Sequence, residues 1–329
     1  MGAPHDGRGD ESLAVAKPQV KTALDSARPS FTERFIAWWE GYELATGRPA
    51  PMGTAAIHDV RYAQASEHWE TARLRLAQQV WGEGFIGPGG EEQILSMIKL
   101  FGLDPAMSVL DLGASLGAAT RCMSDKFGVW VSGLESDPQL TEAGMALSTK
   151  AGMAKKAPIQ LFDPGTFDLK PNSVDCVFSK EFLFTVADKQ KFLKAVENLL
   201  KSRGQFLFTD YMLGENHKAG PTFDKWLKHE PRTPHPWSVN DYREALSKLH
   251  LDIRVVDDNT DAFHKSVIAA WADYIQAIRS RGVDDETAAA LVDEVELWTR
   301  RMQLIENGDL RICRIHALKK DTKRLMSNW

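Results

Sequence analysis

Residues 109–117 read V-L-D-L-G-A-S-L-G, and this stretch decides the fold prediction for the 329-residue chain. Its apolar first half predicts a short buried strand, and the small residues after Asp111 predict a tight turn at Gly113 and a helix that begins near Gly117. Small side chains let a ligand lie against the backbone of such a turn. Because ligands of open α/β sheets bind beyond the carboxyl ends of the strands, the turn is a predicted ligand site.

Strand and helix patterns alternate after this turn. The segments VWVSGLE, APIQLFD, VDCVFSK and GQFLFTDYM are predicted strands, the last one introduced by a turn at SRG. PQLTEAGMALSTKAGM and DKQKFLKAVENLLK are predicted helices between them, and residues 262–307 form a long helical stretch. LDIRVVDD and DLRICRIHALKK are predicted strands that extend the sheet at its far edge. The predicted fold class is α/β: a Rossmann-like, mostly parallel sheet with helices on both faces.

Composition and residue patterns predict how the rest of the chain is divided into tails and domains. Residues 1–30 are polar and rich in Gly and Pro, which predicts a disordered tail. Residues 31–80 are predicted to be an N-terminal helical extension, whose aromatic stripe favours packing on the main domain or a homodimer contact. The stripe consists of Phe31, Phe35, Trp38, Trp39 and Tyr42. The main domain is predicted over 81–320, with an insertion at about 212–245, and residues 321–329 are a predicted C-terminal tail.

Charge and composition argue against several classes of protein. The net charge of -5 gives no general attraction to nucleic acid or to an anionic membrane. No apolar run is long enough to span a membrane, and the first residues lack the apolar core of a secretory signal, so we expect a cytoplasmic protein. The three cysteines are far apart, which favours reduced, buried thiols over disulfides or a metal site.

Acidic residues end two further predicted strands. Glu135 follows the glycine turn by about 20 residues and can accept hydrogen bonds from ribose hydroxyls. Asp163 ends the next strand and can accept a hydrogen bond from the exocyclic amine of adenine. With Asp111 they would share one rim of the sheet, which favours an adenosyl ligand. The G-x-S-x-G spacing around Ser115 also resembles the nucleophile elbow of serine hydrolases, which is an alternative.

The segments VLDLGASLGAAT, GLESDP, LFDPGTFDL, VDCVFSKE and GQFLFTDYM resemble class I S-adenosylmethionine (SAM)-dependent methyltransferases. WGEGFIGPGG, FTDYM and GDLRICRIHALKK are most similar to the phosphoethanolamine N-methyltransferase branch. The similarity covers about residues 78–320. It implies methyl transfer from SAM, with S-adenosylhomocysteine as product, to a small-molecule or lipid-headgroup acceptor such as an amine bearing an anionic group. A SAM-binding regulatory or partner protein is the alternative interpretation.

The resemblance also implies a cofactor site. It places SAM against the strand ends and under a glycine-rich lid segment that precedes the first strand of the sheet. With the residues of the glycine turn, the predicted cofactor-binding residues are Phe85, Gly89, Gly90, Asp111, Gly113, Ser115, Gly117, Glu135, Asp163, Pro164 and Ser179.

The acceptor site follows from the same resemblance. Glu181 and Tyr211 are the candidate catalytic residues, since they fall near the methyl group and in the acceptor pocket of that family. Trp226 and Arg232 are the candidate acceptor-binding residues, and the arginine would bind an anionic group. A tyrosine–histidine pair of the family is not matched, because its positions hold Ala77 and Thr185.

Overall fold

The computed structural model describes residues 69–321, and its strands follow the sequence closely. They are β1 (Ser108–Leu112), β2 (Trp130–Glu135), β3 (Ile159–Leu161), β4 (Val174–Lys180), β5 (Leu200–Leu213), β6 (Leu251–Asp258) and β7 (Leu310–Lys319). The predicted tail 1–30, the aromatic stripe of the predicted extension and residues 322–329 lie outside the described residues.

Helices precede the first strand and lie between most of the consecutive strands. They are α1 (Thr71–Trp81), α2 (Gly90–Ile98), α3 (Ala118–Phe127), α4 (Pro138–Lys150), α5 (Lys189–Leu199), α6 (Pro221–His229), α7 (Val239–Lys248), α8 (Thr260–Arg281) and α9 (Asp285–Glu306). Short 3₁₀ turns cover Lys99–Phe101 and Leu183–Thr185. The predicted domain boundary between residues 80 and 81 falls inside α1.

The strands form one seven-stranded sheet in the order β3-β2-β1-β4-β5-β7-β6. The pairs from β3 to β5 are parallel, whereas β7 runs antiparallel to both β5 and β6. The predicted extension of the sheet by its last two strands is confirmed. Strand β1 lies between β2 and β4, so the chain leaves it at the point where the strand order reverses. This reversal opens a crevice at the carboxyl end of β1.

Alternating side chains of the strands bury both faces of the sheet, as parallel sheets require. Val109 packs with α2 and α3 on one face, while its neighbour Leu110 packs with α5 and α7 on the other. A third apolar cluster joins α1, α6, α8 and α9, where Trp81 contacts Trp271 and Trp298. This cluster places α9 above the carboxyl ends of β4 and β5.

Capping residues explain several helix starts. Asp137 accepts hydrogen bonds from the backbone N–H groups of Gln139 and Leu140 at the start of α4, which has proline at its first position. Ser238 and Asp241 form a reciprocal capping box at the start of α7. Asp284 caps the start of α9. The helical stretch that was predicted over 262–307 is therefore two helices, α8 and α9, separated by a short break.

Two further details differ from the sequence prediction. The SRG segment does not precede β5 but lies within it, because residues 201–204 bulge out opposite Asp175 while the strand continues. Arg203 takes a left-handed conformation there, with φ of 62°. Strand β3 has only three residues, which is shorter than the predicted APIQLFD.

The described residues agree with two other predictions. All three cysteines, Cys122, Cys176 and Cys313, are buried and free. None of the helices that the structure describes is both long and apolar enough to cross a membrane.

Candidate active site

A cleft opens at the carboxyl ends of β1, β2 and β4, with an empty volume of about 1120 Å³ including solvent at its mouth. One side is formed by the turns after β1 and β2 and by residues 84–88, and we call it the turn side. The other is formed by α9, the end of β4, Tyr211 of β5 and the segment after α6, and we call it the helix side. Both sides line the same space.

The turn after β1 requires glycine at two positions, Gly113 and Gly117. Gly113 has φ of +74°, and a Cβ atom added there would lie 2.4 Å from the Cβ atom of Phe182. Gly117 has φ of +77° at the start of α3, and its added Cβ would lie 2.6 Å from Ile159. Only glycine fits both the conformation and the space. The turn can therefore pass close to its neighbours and leave its backbone facing the cleft.

Glu135 anchors the turn side. Its carboxylate is 1% exposed and accepts hydrogen bonds from the backbone N–H groups of Ser115, Ser136 and Asp137 at 2.8–2.9 Å. The Nη2 atom of Arg232 also donates to Glu135 Oε1 at 2.6 Å. The predicted acceptor-binding arginine thus reaches from the segment after α6 across to the turn side, where it is bound to the carboxylate that was predicted to bind ribose.

Asp111 lies beneath the same turn. It is completely buried, and Thr120 Oγ1 donates a hydrogen bond to its Oδ2 atom at 2.6 Å. Burial raises the pKa of Asp111 to about 7, and the nearby charge of Glu135 adds to this effect, while the Thr120 hydrogen bond opposes it. The carboxyl group of Asp111 therefore titrates near neutral pH.

Glu181 is the first residue after β4 and faces the helix side of the cleft. Its φ of 46° is rare for a residue with a side chain, and such strain is often found at functional positions. Its Oε1 atom accepts a hydrogen bond from Thr209 Oγ1 at 2.8 Å, and its Oε2 atom pairs with Lys180. Both carboxylate oxygens are therefore held in place at the edge of the cleft.

Aromatic rings and a buried ion pair form the wall of the helix side. Tyr211 packs against Phe184, and burial raises the pKa of its phenol, which stays protonated. The guanidinium carbon of Arg301 lies 5.3 Å from the centroid of the Tyr211 ring and 4.9 Å from that of Trp298. Arg301 also pairs with the buried carboxylate of Glu230. Stacking and pairing together hold this arginine inside the wall.

A buried polar network supports this wall from behind. Asp210 accepts hydrogen bonds from the backbone N–H of Phe184 at 3.0 Å and from the Tyr242 hydroxyl at 2.7 Å. Lys189 donates to the carbonyl oxygen of His235, in the segment after α6. Burial raises the pKa of Asp210 and lowers the pKa of Lys189. The network fixes Phe184 to β5 and the loop that carries Arg232 to the start of α5.

Eight of the predicted site residues line the cleft. They are Phe85, Asp111, Gly113, Ser115, Glu135, Glu181, Tyr211 and Arg232. Thr185, at the unmatched histidine position, lines it as well, whereas Ala77 is buried in the core.

The other predicted site residues lie elsewhere, for local structural reasons. Ser179 is buried and its hydroxyl donates to the carbonyl oxygen of Leu112. The Asp163 carboxylate is exposed and accepts from the residues that follow it, and Pro164 lies beside it outside the cleft lining. The remaining glycines lie at the starts of two helices: Gly89 and Gly90 at α2, and Gly117 at α3.

Trp226 requires a correction. It was predicted to contact the acceptor, but its ring is fully buried and stacks behind Phe184, with ring centroids 6.2 Å apart. Any effect of Trp226 on a ligand would therefore act through Phe184.

Sequence reasoning missed the contribution of α9. Trp298 and Arg301 line the cleft together with Glu294, which accepts a hydrogen bond from the Trp298 indole at 3.0 Å. A signal was present, since Arg301 follows the buried Leu297 and Trp298 at four- and three-residue spacing. A charged residue on the apolar stripe of a helix indicates a buried partner or a ligand.

The hydrolase alternative lacks a catalytic base. Ser115 Oγ donates weakly to the carbonyl oxygen of Gly113 at 3.4 Å, and none of the described residues that line the cleft is a histidine. A serine nucleophile needs such a base within hydrogen-bonding reach.

Comparisons with known proteins agree with this architecture. A family model described as a methyltransferase domain matches residues 110–208. Phosphoethanolamine N-methyltransferase 1 of Arabidopsis thaliana is 24% identical over 235 residues, which is 71% of this chain and 47% of that protein. Phosphoethanolamine N-methyltransferase 2 of Caenorhabditis elegans is 33% identical over 172 residues, 52% of this chain and 39% of that protein. The chain spans about half the length of the curated relatives it matches.

A further relative is the sarcosine/dimethylglycine N-methyltransferase of Halorhodospira halochloris, 26% identical over 168 residues, which is 48% of this chain and 56% of that protein. Among solved structures, Haemonchus contortus phosphoethanolamine N-methyltransferase 2, in complex with phosphomonomethylethanolamine and S-adenosylhomocysteine, has a TM-score of 0.70 at 22% identity. The match covers 79% of this chain and 59% of that one. Residues 110–208 therefore match a methyltransferase domain on a Rossmann-like fold, and the chain is similar to the phosphoethanolamine N-methyltransferases.

Proposed function

We propose that the protein transfers a methyl group from SAM to a small amine acceptor that also carries an anionic group. The observation that carries the proposal is the continuity of the cleft. The glycine turn and Glu135, which suit an adenosyl ligand, share one space with Glu181 and Tyr211, which suit an acceptor. The amine substrates named for the relatives support this class of acceptor.

The turn side would hold the cofactor. Backbone groups of residues 113–115 would lie against it, and Glu135 would accept hydrogen bonds from the ribose hydroxyls. Since Arg232 donates to Glu135 Oε1 in the ligand-free protein, it would have to share or release that oxygen. Phe85 lines the cleft between Gly84 and Ile86 and would cover the cofactor, as the lid prediction requires.

The helix side would align the acceptor. Methyl transfer forms a bond from the acceptor nitrogen to the methyl carbon as the carbon–sulfur bond breaks in line with it. The sulfonium is already a good leaving group, so the protein mainly has to orient the two reactants, which supplies roughly 7–11 kcal/mol. The amine must lose a proton to attack, and Glu181 is the candidate group to orient the nitrogen or take that proton. Tyr211 keeps its proton, so it can form hydrogen bonds to the acceptor but cannot take up the proton of the amine.

The acceptor could be a free small molecule or a lipid headgroup, since both present the same amine and anion. The predicted cytoplasmic location and the homodimer through the aromatic stripe stay predictions.

The test is product formation from defined amines. The protein is incubated with methyl-labelled SAM and with phosphoethanolamine, its monomethyl derivative, glycine or sarcosine, and the methylated products are measured by mass spectrometry. We expect product from at least one amine, and Glu181→Gln should lower kcat with S-adenosylhomocysteine affinity nearly unchanged. Cofactor binding without any methylated product would instead favour the regulatory alternative, and absence of cofactor binding would refute the proposal.

A further inference from the structure

Helices α8 and α9 leave an apolar groove between them, with an empty volume of about 630 Å³ including solvent at its mouth. Among its described lining residues only Glu306 is charged, and His264 of α8 binds this carboxylate at 2.9 Å. The groove therefore suits an apolar occupant. Its apolar lining consists of Val267, Ile268 and Trp271 of α8 and Val295, Trp298 and Met302 of α9.

Apolar side chains on both walls of this groove are open to solvent. Ile268 of α8 is 41% exposed. Val292 of α9 is 39% exposed, and it lies on the same face of its helix as Val295 because three residues separate the two positions. Single exposed aliphatic residues are common on protein surfaces, but exposed residues that flank an apolar groove indicate a surface that binds a partner.

The chain itself contains an apolar segment that needs such a surface. The aromatic stripe of the predicted extension places five aromatic side chains on one face of a predicted helix within residues 31–42. A helix of these 12 residues would be about 18 Å long. Val292 and Met302 are about 15 Å apart along α9 by the same rise per residue. The segment and the groove therefore match in length and in apolar character.

The connection between the segment and the described residues favours docking within one chain over docking on a second copy. Helix α1 packs on the two helices that form the groove, since Trp81 contacts both Trp271 and Trp298. The 26 residues from 43 to 68 can span up to about 85 Å, so the stripe can reach the groove. A tethered segment has an effective concentration of about millimolar, which exceeds that of a second copy at micromolar protein.

We propose that residues 31–42 dock as a helix in the groove between α8 and α9 of the same chain, with the aromatic stripe against Ile268 and Val292. This inference does not depend on the proposed function. Because Trp298 lines both the groove and the cleft, the docked segment would also contact a residue that forms the wall of the helix side.

Two variants and two matched controls test the contact from both of its sides. Trp38→Glu places a charge in the middle of the stripe, whereas Ala37→Glu places the same charge on the other face of the predicted helix. Ile268→Glu places a charge in the groove. Ala269→Glu is its control, because Ala269 is the next residue of α8, is exposed and does not line the groove.

The measurement is hydrogen exchange of the full chain at low micromolar concentration, with sedimentation velocity to determine the oligomeric state. Trp38→Glu and Ile268→Glu should each speed exchange in 264–271 and 292–303 by about tenfold or more, because the docked segment must leave before these helices open. The double variant should exchange no faster than either single variant, since both substitutions remove the same contact. Both controls should match the wild type, and exchange in β1 and β4 should be unchanged in every variant.

Wild-type exchange in either Trp38→Glu or Ile268→Glu would overturn the inference, as would additive effects in the double variant. A wild-type dimer that Trp38→Glu converts to a monomer would show that the stripe binds a second copy, which also overturns it. A dansylated fatty acid tests for a free apolar ligand. Binding that the wild type and Trp38→Glu share and that Ile268→Glu loses would show that the groove is open in the full chain, and the inference would then be wrong.

Discussion

Arg232 and Glu135 are 97 positions apart in sequence, and their contact joins the segment after α6 to the turn side of the cleft. Glu135 is 1% exposed, whereas Arg232 is 32% exposed and approaches from the loop after α6. The backbone N–H groups of Ser115, Ser136 and Asp137 hold the carboxylate in place. The arginine is therefore the partner that can move when a ligand needs the carboxylate.

This contact predicts opposite effects of two substitutions on cofactor binding. Glu135→Ala should weaken S-adenosylhomocysteine binding by about 1.5–3 kcal/mol, since hydrogen bonds from a buried ligand to a charged group are lost. Arg232→Ala should leave the affinity unchanged or raise it, because it removes a competitor for Glu135 Oε1. Calorimetry measures both, with exposed Glu142→Ala as a control. An equal loss in both variants would show that Arg232 supports the cofactor.

Asp111 predicts a pH dependence of stability in the ligand-free protein. Its folded pKa of about 7 lies above the ordinary 3.8, so between these values the unfolded chain releases a proton that the folded protein keeps. The free energy of unfolding therefore falls as the pH rises through this window. Asp111→Asn keeps an acceptor for Thr120 and removes the effect, and it should stabilise the protein by about 2–3 kcal/mol more at pH 8 than at pH 5.

Urea unfolding at the two pH values checks this prediction. Asp125→Asn is the control, because it changes an exposed carboxyl on α3, the helix that also carries Thr120. The interpretation of Asp111 fails if Asp111→Asn changes the unfolding free energy by the same amount at both pH values.

At the scale of elements, the sequence was sufficient to predict a strand, turn or helix wherever the residues of that element alone determine its structure. The glycine turn after β1 and the strand at VDCVFSK match the structure for this reason. The bulge at residues 201–204 was not predictable, since it depends on the register between β4 and β5. The break before α9 was missed although Gly282 and the cap Asp284 signal it.

The glycine turn gives a prediction with a close control. Gly113→Ala and Gly152→Ala both place alanine at positive φ, +74° and +71°, which costs about 1–2 kcal/mol each. Only at Gly113 would the new Cβ lie 2.4 Å from Phe182, whereas nothing lies within 4 Å at Gly152. Urea unfolding should therefore show an additional loss of about 1–3 kcal/mol for Gly113→Ala. Equal losses would mean that the turn has room to shift.

At the scale of the whole molecule, the turns after β1 and β2 follow from one βαβ unit and were predictable, whereas the helix side was not. Arg301 pairs with Glu230 across 71 positions, and Arg73 pairs with Glu294 across 221. These contacts exist only because the third apolar cluster places α1, α6 and α9 together above β4 and β5. No spacing pattern in the sequence predicts that these three helices pack together.

This division between the two sides predicts how ligands change hydrogen exchange across the molecule. A ligand that binds only the folded state slows local opening by the factor 1 + [L]/Kd, about 100-fold at 100 times its Kd. S-adenosylhomocysteine should therefore slow exchange in 84–88 and 113–119, with little change in α9. Adding the anionic amine that binds should then slow exchange in 230–238 and in α9 around Arg301. If the product alone protects α9 as strongly as the turn side, the two sides open as one unit and do not bind separate ligands.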